Sequence, residues 1–352
     1  MTCGWTRSRK ATVLLALAAS IAMALGMDGP AGLSTRDSDG TAGSPTATRP
    51  ATQPVDDVWV NPFLAEGQWY KANLHSHTSV SDGPATPAER AEQYRRARYS
   101  ILALTDHSHT QNDLGRLGDA NFLVLNGVEL SATGGYHLVA IGVPDGFLIP
   151  KGGTEANASI ALVRAAGGIV VLGHPTRSHL GYYDKIRPIR GVAAIEVWNG
   201  GTSNEDAASG ERQWGDALDD GWRLPAVASD DCHGKGVSCR AWTWLKMKSL
   251  TAEEAIRAIR TGACYATRGP QIEDFRLDGN QVILRCSPAA KIEILGPAGR
   301  SHTTVAPKGE TVRAISTRVA SLSGWPWTYV RAVVTDSNGR KAWTPPIHAK
   351  HP

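Results

Sequence analysis

The sequence is poor in several features that would have named a function at once. No G-x-S-x-G elbow is present, which leaves a Ser-His-Asp hydrolase unsupported. No P-loop or dinucleotide fingerprint stands at a strand–helix turn, which removes the common nucleotide-binding classes. The 11 Trp do not form a spaced series on basic strands, so there is no single-stranded nucleic-acid signature. Outside residues 11–25 no run is long and apolar enough to span a bilayer. Cysteine is scarce, at five in 352 residues, and the charges nearly balance, with 37 Lys plus Arg against 33 Asp plus Glu. The 41% hydrophobic and 20% charged residues exclude a collagen-like, coiled-coil or wholly disordered chain and allow a large core.

What is present begins with an export pattern. Arg7, Arg9 and Lys10 precede the apolar run Ala11–Leu25, a basic segment followed by a short hydrophobic core. The run falls short of the roughly 20 residues of a spanning helix, and Ala22, Ala24 and Gly26 offer cleavage positions. No Cys follows it and Ser8 splits the arginines, so neither a lipid anchor nor a twin-arginine signal is expected. The expected location is secreted or periplasmic. Cleavage after Gly26 removes three basic residues and no acid, taking the net charge from +4 to +1. A near-neutral mature chain gives no bulk-charge case for binding nucleic acid or a membrane surface. Residues 27–57, rich in Ser, Thr, Pro, Gly and Asp without hydrophobic periodicity, read as a disordered linker. Of the four cysteines beyond the signal, Cys232 and Cys239 are the expected disulfide pair.

The stretch 69–264 alternates short apolar strands with helical patterns, which predicts a mostly parallel α/β domain spanning residues 58–270. Strands are expected at 70–77, 100–106, 122–130, 137–143, 168–173, 193–198 and 226–230, and helices near 86–98, 155–166, 204–219 and 252–261. The last helix opens on a capping-box pair, Thr251 and Glu254. Residues 271–352 show alternating strands and turn pairs, Asp278-Gly279 and Asn338-Gly339, which predicts a small all-β domain. Trp325-Pro326-Trp327 in that tail reads as core or turn packing rather than a carbohydrate platform.

The chemistry gathers where the α/β strands end. His75 and His77 are two apart, so in a strand both imidazoles share one face. Asp82 follows in a turn, Asp106-His107 closes the second strand and Glu129 the third. His137 opens the fourth, His174 closes the fifth, and Asp230, Asp231 and His233 follow the last. Burying so many imidazoles and carboxylates without cations would be costly, and a metal cluster removes the cost. Mixed imidazole and carboxylate donors suit Zn, Mn or Fe.

The series HSHTSVSDG, LTDH, GVELS, HLVAIG, LGHP and SDDCHG resembles the PHP (polymerase and histidinol phosphatase) superfamily of metallohydrolases, over about residues 69–270. The export signal, the Gly269-Pro270 that follows Tyr265-Ala266-Thr267, and the β-rich tail look most like its CehA/McbA branch, named after a carbaryl hydrolase. The resemblance implies a distorted (β/α)7 barrel with two to three divalent ions. One ion would be held by His75, His77, Glu129 and Asp230, a second by Glu129, His137 and His174, and a third by Asp82, His107 and His233. It implies a phosphomono- or diesterase in which hydroxide bridging two ions attacks phosphorus. The same site can serve a carboxylic or carbamate ester, and a non-catalytic metal-stabilised module is the further alternative. Glu129 and Asp82 are the expected catalytic carboxylates, with Asp106 orienting His107. Arg177, Arg268 and Asn199 are the expected substrate contacts. The expected partner is a small-molecule ester; the oligomeric state is left open.

Overall fold

Four of the strands that lead to the chemistry are buried along their whole length, which is why they read as largely apolar runs. In a computed structural model, residues 59–149, 153–237, 239–319 and 327–348 are described. The expected export segment and expected linker, with Trp325 and Pro326, lie outside them. Seven strands follow the expected order: β1 (Gln68–Asn73), β2 (Ile101–Leu104), β3 (Leu123–Ala132), β4 (Tyr136–Ile141), β5 (Ile169–Leu172), β6 (Ala194–Asn199) and β7 (Ala226–Ser229). Every residue of β2, β5, β6 and β7 is buried, as expected for strands covered on both sides. β1, β2 and β3 pair in parallel, as do β5, β6 and β7. β4 runs antiparallel to both β3 and β5.

The helices begin where capping chemistry starts them. α1 (Pro87–Arg96) has Pro at its first position and a full capping box, Thr86 with Glu89. α2 (Ala156–Ala165) lies between β4 and β5. The expected helix at 204–219 is two pieces, α3 (Glu205–Ala208) and α4 (Glu211–Asp219). β8 (Trp242–Met247) pairs antiparallel with β1 and leads to α5 (Ala252–Arg260), which buries Ala255, Ala258 and Ile259. Only half of the predicted capping box forms there: Thr251 accepts from the Glu254 N–H, while the Glu254 carboxylate takes the Lys248 N–H.

β9 (Cys264–Thr267) pairs with β8 and is the seam to the tail. After it come β10 (Ile272–Asp278), β11 (Gln281–Ala289), β12 (Lys291–Leu295), β13 (Ser301–Val305), β14 (Val312–Arg318), β15 (Tyr329–Thr335), β16 (Lys341–Trp343) and β17 (Ile347–His348). Alternating burial marks β11 and β12 as strands with one face inward. β10, β11 and β14 form a separate sheet. β16 pairs with β9, so one sheet path runs from β13 through β16 and β9 to β1 and on to β7. Trp343 of the tail stacks on Trp198 of β6. The expected turn pair Asp278-Gly279 forms a hairpin closed by Asp278 and Gln281, with Gly279 at φ 59°. Among the described residues no disulfide joins Cys232 to Cys239, so the expected pair is not formed.

Two bridges beyond the strand ends assemble the site. Ser76 pairs with Cys232, bringing the segment after β1 against the segment after β7, and His107 pairs with Glu129. The first and last parallel strands therefore meet at their carboxyl ends.

Candidate metal centre

Glu129 sits at the middle of this end, 1% exposed, and five imidazoles converge on it. Its Oε2 lies 3.2 Å from the His75 Nε2, the His77 Nε2 and the His107 Nδ1. Its Oε1 lies 2.6 Å from the His137 Nδ1 and 3.0 Å from the His174 Nε2. Asp231 Oδ1 stands 3.1 Å from the His77 Nε2 and 3.4 Å from the His75 Nε2. At the outer edge Asp82 approaches the His77 Nδ1 at 3.4 Å, the His233 Nε2 at 3.3 Å and the His107 Nε2 at 3.6 Å. Three sets of ligand atoms each fall within 4.8 Å of one another: His77, Asp82, His107 and His233; His75, His77, Glu129 and Asp231; and His107, Glu129 and His137.

The chemistry of this donor set fits divalent cations. The His75 Nε2, the His77 Nε2 and the Asp231 Oδ1 are buried and, although 3.1–3.4 Å from one another or from Glu129, make no well-aimed hydrogen bond. Such orphaned polar atoms are costly, and here they face one another. Burial opposes charge on His75, yet Asp231, Glu129 and Glu196 together hold its pKa well above the ordinary value. Burial would likewise raise Glu129, but the His75 charge and hydrogen bonds from His137 and His174 hold it well below the usual carboxylate range. Asp231 is held below that range in the same way, by His75 and His77 against its burial.

Behind the donors stands a layer of orienting contacts. Glu196 of β6 accepts from the His75 Nδ1 at 3.1 Å and the His174 backbone N–H at 2.8 Å. Ser178 lies 3.0 Å from the His174 Nδ1. A carboxylate on the far ring nitrogen fixes the tautomer and aims the other nitrogen at the cluster.

No family model matches the sequence. No curated protein matches it either. Similar solved structures include a two-domain protein of Bacteroides vulgatus that contains a predicted PHP-like metal-dependent phosphoesterase. It is 18% identical, covering 80% of this chain and 96% of that one, with a TM-score of 0.45. A Bifidobacterium adolescentis protein assigned as a metal-dependent phosphoesterase is 20% identical, covering 55% of this chain and 96% of its own, at 0.38. An amidohydrolase of Chromobacterium violaceum with bound sulfate and no metal is 20% identical, covering 47% and 88%, at 0.34. These likenesses are distant, and the functional reading below is carried by the site itself.

The structure brings His75, His77, Asp82, His107, Glu129, His137, His174 and His233 together and corrects four other expectations. Asp230, expected as a ligand, faces away: its carboxylate accepts from the Tyr94 hydroxyl and from the N–H groups of Cys239, Arg240 and Ala241. The backbone turns left-handed at Asp231, φ 45°, and sends the second acid into the cluster instead. Asp106 does not hold His107. It accepts from the Thr78 N–H and hydroxyl, the Ser81 hydroxyl and the Gln111 amide, and so anchors the segment leading to Asp82. Arg268 is taken up bidentately by Glu205 and lies over the Trp198 ring, which leaves no free fork for phosphate. Asn199 is fully buried with both amide ends engaged, donating to Glu196 and accepting from the Gly201 N–H. Arg177 remains at the mouth, its Nη1 2.8 Å from the Asp231 Oδ2 and its side chain 40% exposed.

Sequence reasoning missed Glu196 and Asp231. Glu196 carried one usable signal, an acid inside an otherwise apolar buried strand, which always demands a partner. Asp231 adjoins Asp230, and only the backbone turn between them distinguishes the two.

Proposed function

We propose that the chain is an exported metal-dependent hydrolase of the PHP type, acting on a phosphomono- or diester, with two to three Zn, Mn or Fe ions. The observation that carries the reading is the convergence of six imidazoles with Asp82, Glu129 and Asp231 at one strand end, with buried donor atoms left without a well-aimed hydrogen bond. The parallel order of β1 to β3 and of β5 to β7, closed at the Ser76–Cys232 bridge, supports a distorted (β/α)7 barrel. The motifs and tail support the CehA/McbA branch, and residues 1–26 support export.

His75, His77, Glu129 and Asp231 would hold one ion, Glu129 with His107 and His137 another, with His174 against the same carboxylate, and Asp82 with His77, His107 and His233 the outermost. Bound there, divalent ions supply an activated water at neutral pH and neutralise charge building on the ester oxygens. The protein's own contributions are positional. Glu129 presents both oxygens to separate histidines. Glu196 and Ser178 aim His75 and His174. Asp106 holds the segment that carries Asp82. Arg177, pinned on one nitrogen by Asp231, offers its solvent-facing nitrogens to a phosphoryl oxygen at the mouth.

A substrate panel on metal-loaded protein tests the reading. Turnover of aryl phosphates or phosphodiesters above aryl acetates and carbamates is expected, with Arg177→Ala raising KM for the phosphates. The reverse preference would move the chain to the carboxylic or carbamate ester class; no turnover with metal bound would make it a non-catalytic module.

A further inference from the structure

Helix α1 buries an arginine where an apolar residue would serve packing better. Arg90 is fully buried, and among the described residues no acid forms an ion pair with it. Desolvating a guanidinium without a carboxylate is unfavourable unless its donors are otherwise satisfied. They are. Its Nε donates to the His77 carbonyl at 3.0 Å and its Nη2 to the Gly234 carbonyl at 2.7 Å. Its Nη1 reaches the Gln93 Oε1 at 3.0 Å and the Cys232 Sγ at 3.1 Å. One side chain thus grips both loops that carry His77 and His233.

The rest of the α1 face repeats the pattern. Tyr94, one turn after Arg90, donates its hydroxyl to Asp230, and Gln93 donates its amide to the Lys235 carbonyl. Residues 230, 232, 234 and 235 are therefore each held by α1, with Asp231 and His233 projecting from between them. The backbone adds a direct tie, the His77 N–H to the Cys232 carbonyl at 3.1 Å.

We propose that Arg90 is a positioning residue that sets the geometry of the His77, Asp82, His107 and His233 group, with Gln93 and Tyr94 completing the template. This rests on the metal reading above. A planar fork with several donors is needed to bridge two loops at once, and a lysine's single ammonium cannot reproduce it.

The test is zinc binding by the full chain, stripped and then titrated with zinc alone, read as affinity, ions per chain and zinc-induced change in Tm. For Arg90→Lys the weakest-bound zinc should lose about 10- to 100-fold in affinity, the usual effect of removing an outer contact to a ligand. The zinc-induced rise in Tm should shrink with it. Gln93→Ala, on the solvent edge of the same network, should fold readily and show a smaller loss in the same direction. A purely structural role would lower Tm equally with and without zinc and leave affinity unchanged; that result in both variants overturns the proposal alone. Wild-type protein that binds no zinc overturns the metal reading and the proposal with it.

Discussion

Two ionic clusters, one deeply buried and one half-buried, can be compared within this molecule. At the tail seam, Glu211 of α4 faces Lys341 of β16 at 2.8 Å and Arg331 of β15 at 3.9 Å. Arg331 also lies over the Trp214 ring, and Tyr329 donates to Asp219. Positive groups there meet acids and an aromatic face, and the buried atoms left without a hydrogen bond, Arg331 Nε and Nη1 and Trp343 Nε1, are N–H groups that a cation could not satisfy. At the carboxyl ends of β1 to β7 the balance differs. Imidazole nitrogens and carboxylate oxygens face one another there, and the buried atoms without a well-aimed hydrogen bond include three potential metal donors, the His75 Nε2, the His77 Nε2 and the Asp231 Oδ1. Depth differs too, with Glu129 and Asp231 1% exposed against 21% for Glu211 and 36% for Lys341, yet depth alone does not call for a cation. The surplus of lone pairs does.

The largest effect that would break the comparison lies at Glu129. Glu129→Ala should abolish turnover and retained metal together, read by activity and elemental analysis on one preparation. Next comes the pair of adjacent acids. Asp231→Asn should lose metal and most activity. Asp230→Asn should keep its metal and instead lower stability by about 1–3 kcal/mol, because its buried hydrogen bonds are weakened. Denaturant unfolding and metal content together separate the two, and the reverse pattern would restore Asp230 as the ligand.

The smallest effect is at the seam. Burial opposes ionisation of Glu211, but Lys341 and then Arg331 outweigh it and hold its pKa below the usual 4.5. A depressed carboxylate stabilises the fold above its unfolded pKa, and that contribution is lost as pH falls through the folded value. Glu211→Gln should therefore cost stability at neutral pH and flatten the decline below about pH 4.5. Unfolding midpoints across pH 3–7 check this, and metal content should not change.

Much of this was legible in the sequence. Parallel strands buried on both faces read as apolar runs, and the polar residue ending each run marks the shared mouth. Thr86 and Thr251 mark helix starts for local reasons that do not depend on the fold. The direction of β4 is not in its pattern, since a strand buried at all but one residue looks alike either way; only the Thr133-Gly134-Gly135 turn hints at the hairpin. Arg90 was hidden because a helix arginine ordinarily faces solvent. Arg268 and Asn199 stand at the right strand ends, yet their side chains are consumed by Glu205 and Glu196, partners that spacing cannot supply.

The central claim is that the orphaned donors exist to hold cations. Elemental analysis of the full chain after zinc or manganese reconstitution tests it most directly. The account predicts about two to three ions per chain, as in multi-metal hydrolytic sites. No bound ion after reconstitution would contradict it.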